Sequence, residues 1–360
     1  MPSGIQLWAG KRFYQRKDIH IMDFYYLNNS GTGFGVENIA VGNLGSLSFA
    51  VIKGQTGATM SADVAEKNNK AAGEEKYKAG QPLTDADQDV NTWHLDARWN
   101  NIPLWTDGSL DVAFIYAWAN LSQAQKDNEN RMNNGFLAHL EWTQSNFFGG
   151  FNKLVFQYGH DGFNGVGTLN GGNHAGATVN PYGWKEDLFG PVYKGDKGNG
   201  YRLINWGVIE QPSWNLGYAF LAAHKNSFDE AYHGGRCEDE QCGANWSHPT
   251  GNDYAVVLRP SYKWSDFTST MLEFGYTNQT NTGWNGWNNK YRDGTLKSRV
   301  KATKLTIAQQ WTAPTSTAFW SRPSIRVFAS WLSGDLVNKA YTHLEDNHQI
   351  TVGAQVEAWW

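Results

Sequence analysis

The chain has 360 residues, among them 18 Trp, 16 Tyr, 18 Phe and 39 Gly. Ring-rich and turn-rich composition of this kind favours one large all-β domain over two helical ones. Its 30 Lys and Arg stand against 34 Asp and Glu, a formal net charge of -4, so no basic excess points to nucleic acid.

The opening, MPSGIQLWAG, lacks an apolar core of the length a secretory leader needs. No run of roughly 18 apolar residues follows it anywhere, which excludes a transmembrane helix. It does not exclude a membrane-spanning barrel, whose strands alternate lipid-facing and lumen-facing side chains and so average to a polar chain. The mean hydropathy of -0.57 fits that design and a water-soluble β-protein equally.

The stretch 8–26, WAGKRFYQRKDIHIMDFYY, begins as an alternating strand over 5–13. It then sets Arg12, Arg16, Lys17, Asp18, His20 and Asp23 against Tyr14, Tyr25 and Tyr26. Fixed charges mixed this densely with rings suit a ligand with hydroxyls at its rim and C–H groups on its face, which describes a sugar. Residues 31–35 read as a glycine turn, strands follow at 36–41 and 46–52, and 54–91 is a Lys/Glu/Ala-rich loop without alternation.

In 92–100 Trp93, Leu95, Ala97 and Trp99 form an apolar face opposite His94, Asp96, Arg98 and Asn100. Strands seldom bury four polar groups together, so that second face is expected to be wet. The same alternation recurs at 110–118, 136–143, 154–160, 201–208, 214–224, 254–264, 269–276, 304–311, 324–331 and 350–360, about 14 strands in all. Connections at 14–35, 54–91, 120–134, 161–200, 225–252, 278–301 and 332–347 are long and polar, whereas 211–213 and 265–267 are minimal turns. Long loops at one end and tight turns at the other predict a transmembrane antiparallel up-and-down β-barrel. Trp93, Trp99, Trp118, Trp142, Trp264, Trp311 and Trp331 fall at strand ends, where indole suits the headgroup level.

No metal or cofactor is indicated, and neither a nucleophile elbow nor a triad-like grouping occurs. Asp18 and Asp23 could pair as in glycoside hydrolysis, but the cations beside them hold both ionised, so the chain is not expected to be an enzyme. Cys237 and Cys242, in RCEDEQC, form a local disulfide in an oxidising compartment or stay free thiols. Parity turns Trp359 to the side of Thr351, Gln355 and Glu357; Trp320 has the parity of Arg326, but Pro323 between them interrupts the alternation and leaves that phase open. Phe151 follows the glycines 149 and 150 and is not oriented by periodicity.

WAGKRFYQRKDIHIMDFYY, GFGVENIAVGNLGSLSFA, EWTQSNFFGGFNKLVFQYG, LTIAQQW, WSRPSIRVFASW and VGAQVEAWW together resemble the maltoporin family of outer-membrane sugar porins. The resemblance implies a homotrimer of roughly 18-stranded barrels in outer-membrane lipid that passes maltose and maltodextrins by passive diffusion. It implies an aromatic slide at Phe151, Trp320 and Trp359, and a constriction of Arg16, Asp18, Asp23 and Tyr25 on an inward-folded loop at 14–35. Sucrose-transporting relatives replace the arginine and tyrosine that stand here as Arg16 and Tyr25, while Asn28 occupies a position usually held by Asp in maltoporins and by an apolar ring in sucrose porins, which leaves the exact sugar preference open. With about 14 strands in residues 1–360, the resemblance also implies a single barrel lacking its N-terminal strands. A porin for other oligosaccharides, a non-specific porin, and a soluble carbohydrate-binding or glycoside-hydrolysing β-protein are the alternatives.

Overall fold

The computed structural model describes residues 4–53, 91–120, 134–161, 163–167, 169, 198–227, 250–282, 297–312, 319–334 and 348–358. The strands are β1 (Gln6–Arg12), β2 (Lys17–Ile19), β3 (Phe24–Leu27), β4 (Gly31–Ala40), β5 (Ser46–Lys53), β6 (Asn91–Trp105), β7 (Gly108–Asn120) and β8 (Gly135–Phe147). They continue as β9 (Gly150–Asp161), β10 (Gly198–Glu210), β11 (Trp214–Ser227), β12 (Thr250–Lys263), β13 (Thr268–Thr282), β14 (Lys297–Thr312), β15 (Ser324–Gly334) and β16 (His348–Glu357). Fourteen of them form one sheet in the order β1, β4, β5 and onward to β16, while β2 and β3 make a hairpin of their own. Every strand expected from alternation is present, and most run further than the pattern alone marked.

The period of two builds two unlike faces. Outward residues such as Leu95, Phe114, Leu140, Phe156, Leu203, Phe220, Leu305 and Ile307 are exposed. Their inward neighbours Asp96, Ala113, Glu141, Val155, Gln157, Ile204 and Leu221 are buried. A continuous apolar outer band of this extent is a cost in water and a gain in hydrocarbon, as a membrane barrel requires.

Residues 31–35 depart from expectation. They are not a turn but the start of β4, with Gly31, Gly33 and Gly35 opposite Arg12, Gly10 and Trp8 of β1. Glycine is needed for close approach: a Cβ on Gly33 would lie 2.1 Å from the Val51 carbonyl oxygen, and one on Gly35 2.8 Å from Trp8 Nε1. The connection between β1 and β4 is therefore 13–30, shorter than the 14–35 expected.

Segment 13–30 lies on the concave side of the sheet. Gln15 Nε2 donates to Glu37 of β4 at 2.9 Å, Gln157 Nε2 of β9 donates to the Tyr26 carbonyl at 2.7 Å, and His20 Nε2 lies 3.2 Å from Glu357 of β16. One short segment reaches strands at both ends and the middle of the sheet only if the sheet curls around it. Among the described residues no pairing joins β1 to β16. The main apolar core sits between segment and sheet, with Ile19, Tyr26 and Leu27 packed on Ile115, Leu137, Val155, Ile204 and Leu221.

Candidate functional site

The segment reverses through a single 3-10 turn, His20–Met22, closed by Asp23 in the left-handed region (φ 49°), whose N–H donates to the His20 carbonyl at 3.2 Å. Asp is one of the few residues with a side chain that enters this region at little cost. In the flanking hairpin Asp18 lies opposite Tyr25 and Ile19 opposite Phe24. The side chains divide between two directions.

One set reaches the sheet. Lys17 pairs with Asp111 and, at 3.1 Å, with Glu141. Glu141 also accepts from Lys153 at 2.7 Å and from the Tyr26 hydroxyl at 3.0 Å. The Tyr26 carbonyl takes a second bond from Arg202 at 3.1 Å, and the Arg202 guanidinium lies 5.1 Å over the Phe24 ring. Asn29 Nδ2 donates to Asp96 at 2.8 Å, and its Oδ1 is 2.9 Å from His94 Nδ1. Arg98 forks onto Asp96 with two contacts of 2.8 Å and donates to the Gln15 carbonyl at 2.7 Å.

The inner face of β6 is thus not wet, contrary to expectation: His94, Asp96 and Arg98 are 2%, 0% and 2% exposed. Buried polar groups are tolerated where every one has a partner, and the segment supplies the partners that water would otherwise give. Burial pushes the Tyr14 and Tyr26 phenols above the usual tyrosine range, reinforced by Asp96 and Glu141 respectively. Both stay neutral, and Tyr26 stays a donor to Glu141.

The other set looks away from the sheet. Arg16 is exposed, its guanidinium 3.9 Å over the Phe13 ring and 4.7 Å over Tyr25. Asp23 is exposed too, and Asp18 and Tyr25 are half-buried. Among the described residues, none of these four side chains makes a hydrogen bond or an ion pair. The predicted constriction residues Arg16, Asp18 and Tyr25 are brought together, and Asp23 stands across the turn from them.

Two of the three predicted slide aromatics are described. Phe151, on β9, packs edge-on to Trp206 with ring centroids 5.0 Å apart. Trp320, before β15, lies 5.4 Å from the His20 ring and 4.8 Å from Phe319. His20 is held beside it by Glu357, which also accepts from Arg322 at 2.9 Å and Arg326 at 3.3 Å. Trp359, Cys237 and Cys242 lie outside the described residues. The sequence places His20 in the charged and aromatic stretch but does not mark it, Glu141, Arg202 or Asn29 as an anchor. The available signal was polar residues at inward parity on β6, β8 and β10, which marks a polar face without naming what meets it.

A family model described as LamB porin matches residues 1–360. A maltoporin of Photobacterium profundum is 32% identical over 355 residues, covering 98% of this chain and 65% of that protein. A maltoporin of Vibrio cholerae serotype O1 is 34% identical over 364 residues, covering 98% of this chain and 72% of that protein. This chain therefore spans 65% and 72% of the lengths of these relatives. The solved structure of a loop-deleted OmpT, an outer membrane protein of Vibrio cholerae, aligns over 98% of both chains at 14% identity with a TM-score of 0.36.

Proposed function

We propose, because this chain belongs to the LamB porin family of outer-membrane β-barrels, that it forms a sugar channel passing maltose and maltodextrins by passive, saturable diffusion. The observation that carries the reading is the division of segment 13–30. Lys17, Tyr26 and Asn29 are consumed in fixing it to the sheet, while Arg16, Asp18, Asp23 and Tyr25 have no hydrogen-bond or ion-pair partner among the described residues. An Arg fork and two carboxylates held on a rigid support donate to and accept from successive sugar hydroxyls, replacing the water each hydroxyl gives up. Tyr25 sets the aperture, and Arg16 over its ring holds it there.

Phe151, Trp320 and Trp359 serve as platforms for the apolar faces of the glucosyl rings. Each contact is weak, because a channel must release what it binds. The working unit is a homotrimer, as the family resemblance implies. Asp18 and Asp23 act as hydrogen-bond acceptors and not as a hydrolytic pair, so the chain is a channel and not an enzyme.

The test is block of ion current in planar bilayers by maltotriose against raffinose, two trisaccharides of similar size. Maltotriose is expected to close the channel at the lower concentration, and Trp359→Ala to weaken that block with ion conductance nearly intact. Equal block by both sugars would make the channel a non-specific porin. Hydrolysis of maltotriose would make it an enzyme.

A further inference from the structure

A recess of about 270 Å³ lies between the turn of the inner segment and the concave face of the sheet. Met22 and Phe24 line one side, and Leu221, Ala255, Val257 and Ala302 line the other. Residues with polar side chains at its lining are Tyr276, Thr277, Gln279 and Lys304, and the Lys304 ammonium is already engaged by Glu273 at 3.0 Å. Water is poorly held in such a place, since each molecule wants two to four polar partners. A glucosyl ring fits no better, because its hydroxyls would be stripped of water without replacement. The chemistry admitted is an apolar group, and the volume exceeds the cavity of about 150 Å³ that takes benzene in a protein core.

Asp23 is the residue between Met22 and Phe24, is exposed, and has no side-chain partner among the described residues. We propose that the recess is an aglycone site: it takes the aryl or short alkyl group of a glycoside whose sugar is held at Asp23. This rests on the sugar-channel reading above and extends it from free maltodextrins to glycosides with an apolar substituent. Gly275, which also lines the recess, is open to a larger side chain, since a Cβ there would meet only the Lys304 Cβ at 3.7 Å.

The experiment compares methyl α-maltoside with phenyl α-maltoside as blockers of current through the protein in lipid bilayers. Alkyl maltoside detergents are avoided because they would themselves be ligands. The phenyl compound is expected to half-block at a concentration about tenfold lower, the effect of removing one aryl face from water. Gly275→Val should abolish that advantage and leave methyl α-maltoside unchanged. Across methyl, propyl, phenyl and naphthyl maltosides the wild-type protein should show affinity rising with apolar area up to the size of the recess and then falling, a measurement that needs no variant to fold. Equal block by methyl and phenyl maltosides overturns the aglycone site alone, as does an aryl advantage that survives Gly275→Val. Failure of every maltoside to block removes the sugar-channel reading and the site with it.

Discussion

Segment 13–30 presents two faces of nearly the same composition and opposite use. Toward the sheet, Lys17, Tyr26 and Asn29 meet Asp111, Glu141 and Asp96 in a largely buried network of ion pairs and hydrogen bonds. Away from the sheet, Arg16, Asp18, Asp23 and Tyr25 offer the same kinds of group with no hydrogen-bond or ion-pair partner among the described residues. Neighbours in sequence are therefore used differently: Lys17 is engaged by Asp111 and Glu141, whereas the side chains of Arg16 and Asp18 have no hydrogen-bond or ion-pair partner among the described residues. The comparison predicts that substitutions on the first face act on melting and those on the second on sugar affinity.

The largest effect is expected at Glu141. Glu141→Ala leaves the Lys153 ammonium and the Tyr26 hydroxyl without their acceptor and Lys17 with only Asp111. Removing one partner from a buried charge network costs about 3–5 kcal/mol, read as a lowered melting temperature by circular dichroism in lipid. Unchanged melting would mean that the segment is not held by this network. Asn29→Ala comes next, at about 1–3 kcal/mol for leaving Asp96 and His94 short of a buried partner. Asp96 keeps Arg98, so the loss is smaller than at Glu141.

On the second face Tyr25→Ala should leave melting nearly unchanged, raise ion conductance, and weaken maltotriose block by about tenfold through loss of a ring contact and a hydrogen bond. Conductance equal to wild type would place Tyr25 away from the narrowest passage. A drop in melting as large as that of Glu141→Ala would erase the distinction between the faces.

How much of this could be read beforehand follows the range of each interaction. Strands were legible because alternation is local: Trp93, Leu95, Ala97 and Trp99 announce the outward face of β6 without reference to anything else. The close-approach role of Gly33 and Gly35 was hidden, since glycine at a turn and glycine under a neighbouring strand look alike until Val51 and Trp8 are in place. Polarity on the inner face of β6 was legible, but its dryness was not. His94, Asp96 and Arg98 are sealed by Asn29 and Gln15, more than 60 residues earlier in the chain, and alternation says nothing of who supplies a hydrogen-bond partner. For the same reason the stretch Arg16 to Tyr26 could be recognised as dense in charge and ring without being sorted into anchors and contacts.

Asp23→Asn gives the smallest expected effect and the sharpest separation of the faces. Asp23 adopts φ 49° and ψ 42°, a conformation asparagine enters as readily as aspartate, so the turn His20–Met22 should close as before and melting should not move. The substitution keeps size and an acceptor oxygen and removes the charge. A hydrogen bond from a sugar hydroxyl to a carboxylate is worth more than one to an amide by about 1 kcal/mol, so block by maltotriose should weaken about fivefold. Loss of an exposed anion beside the passage should also shift the reversal potential toward anions, an effect that fades as salt is raised. Asp23→Ala is the poorer test because alanine in this region adds about 1–2 kcal/mol of backbone strain and mixes folding with binding. Lowered melting in Asp23→Asn with sugar affinity intact would assign Asp23 to the anchoring face, and the division on which the channel reading stands would then fall at the residue where the chain turns.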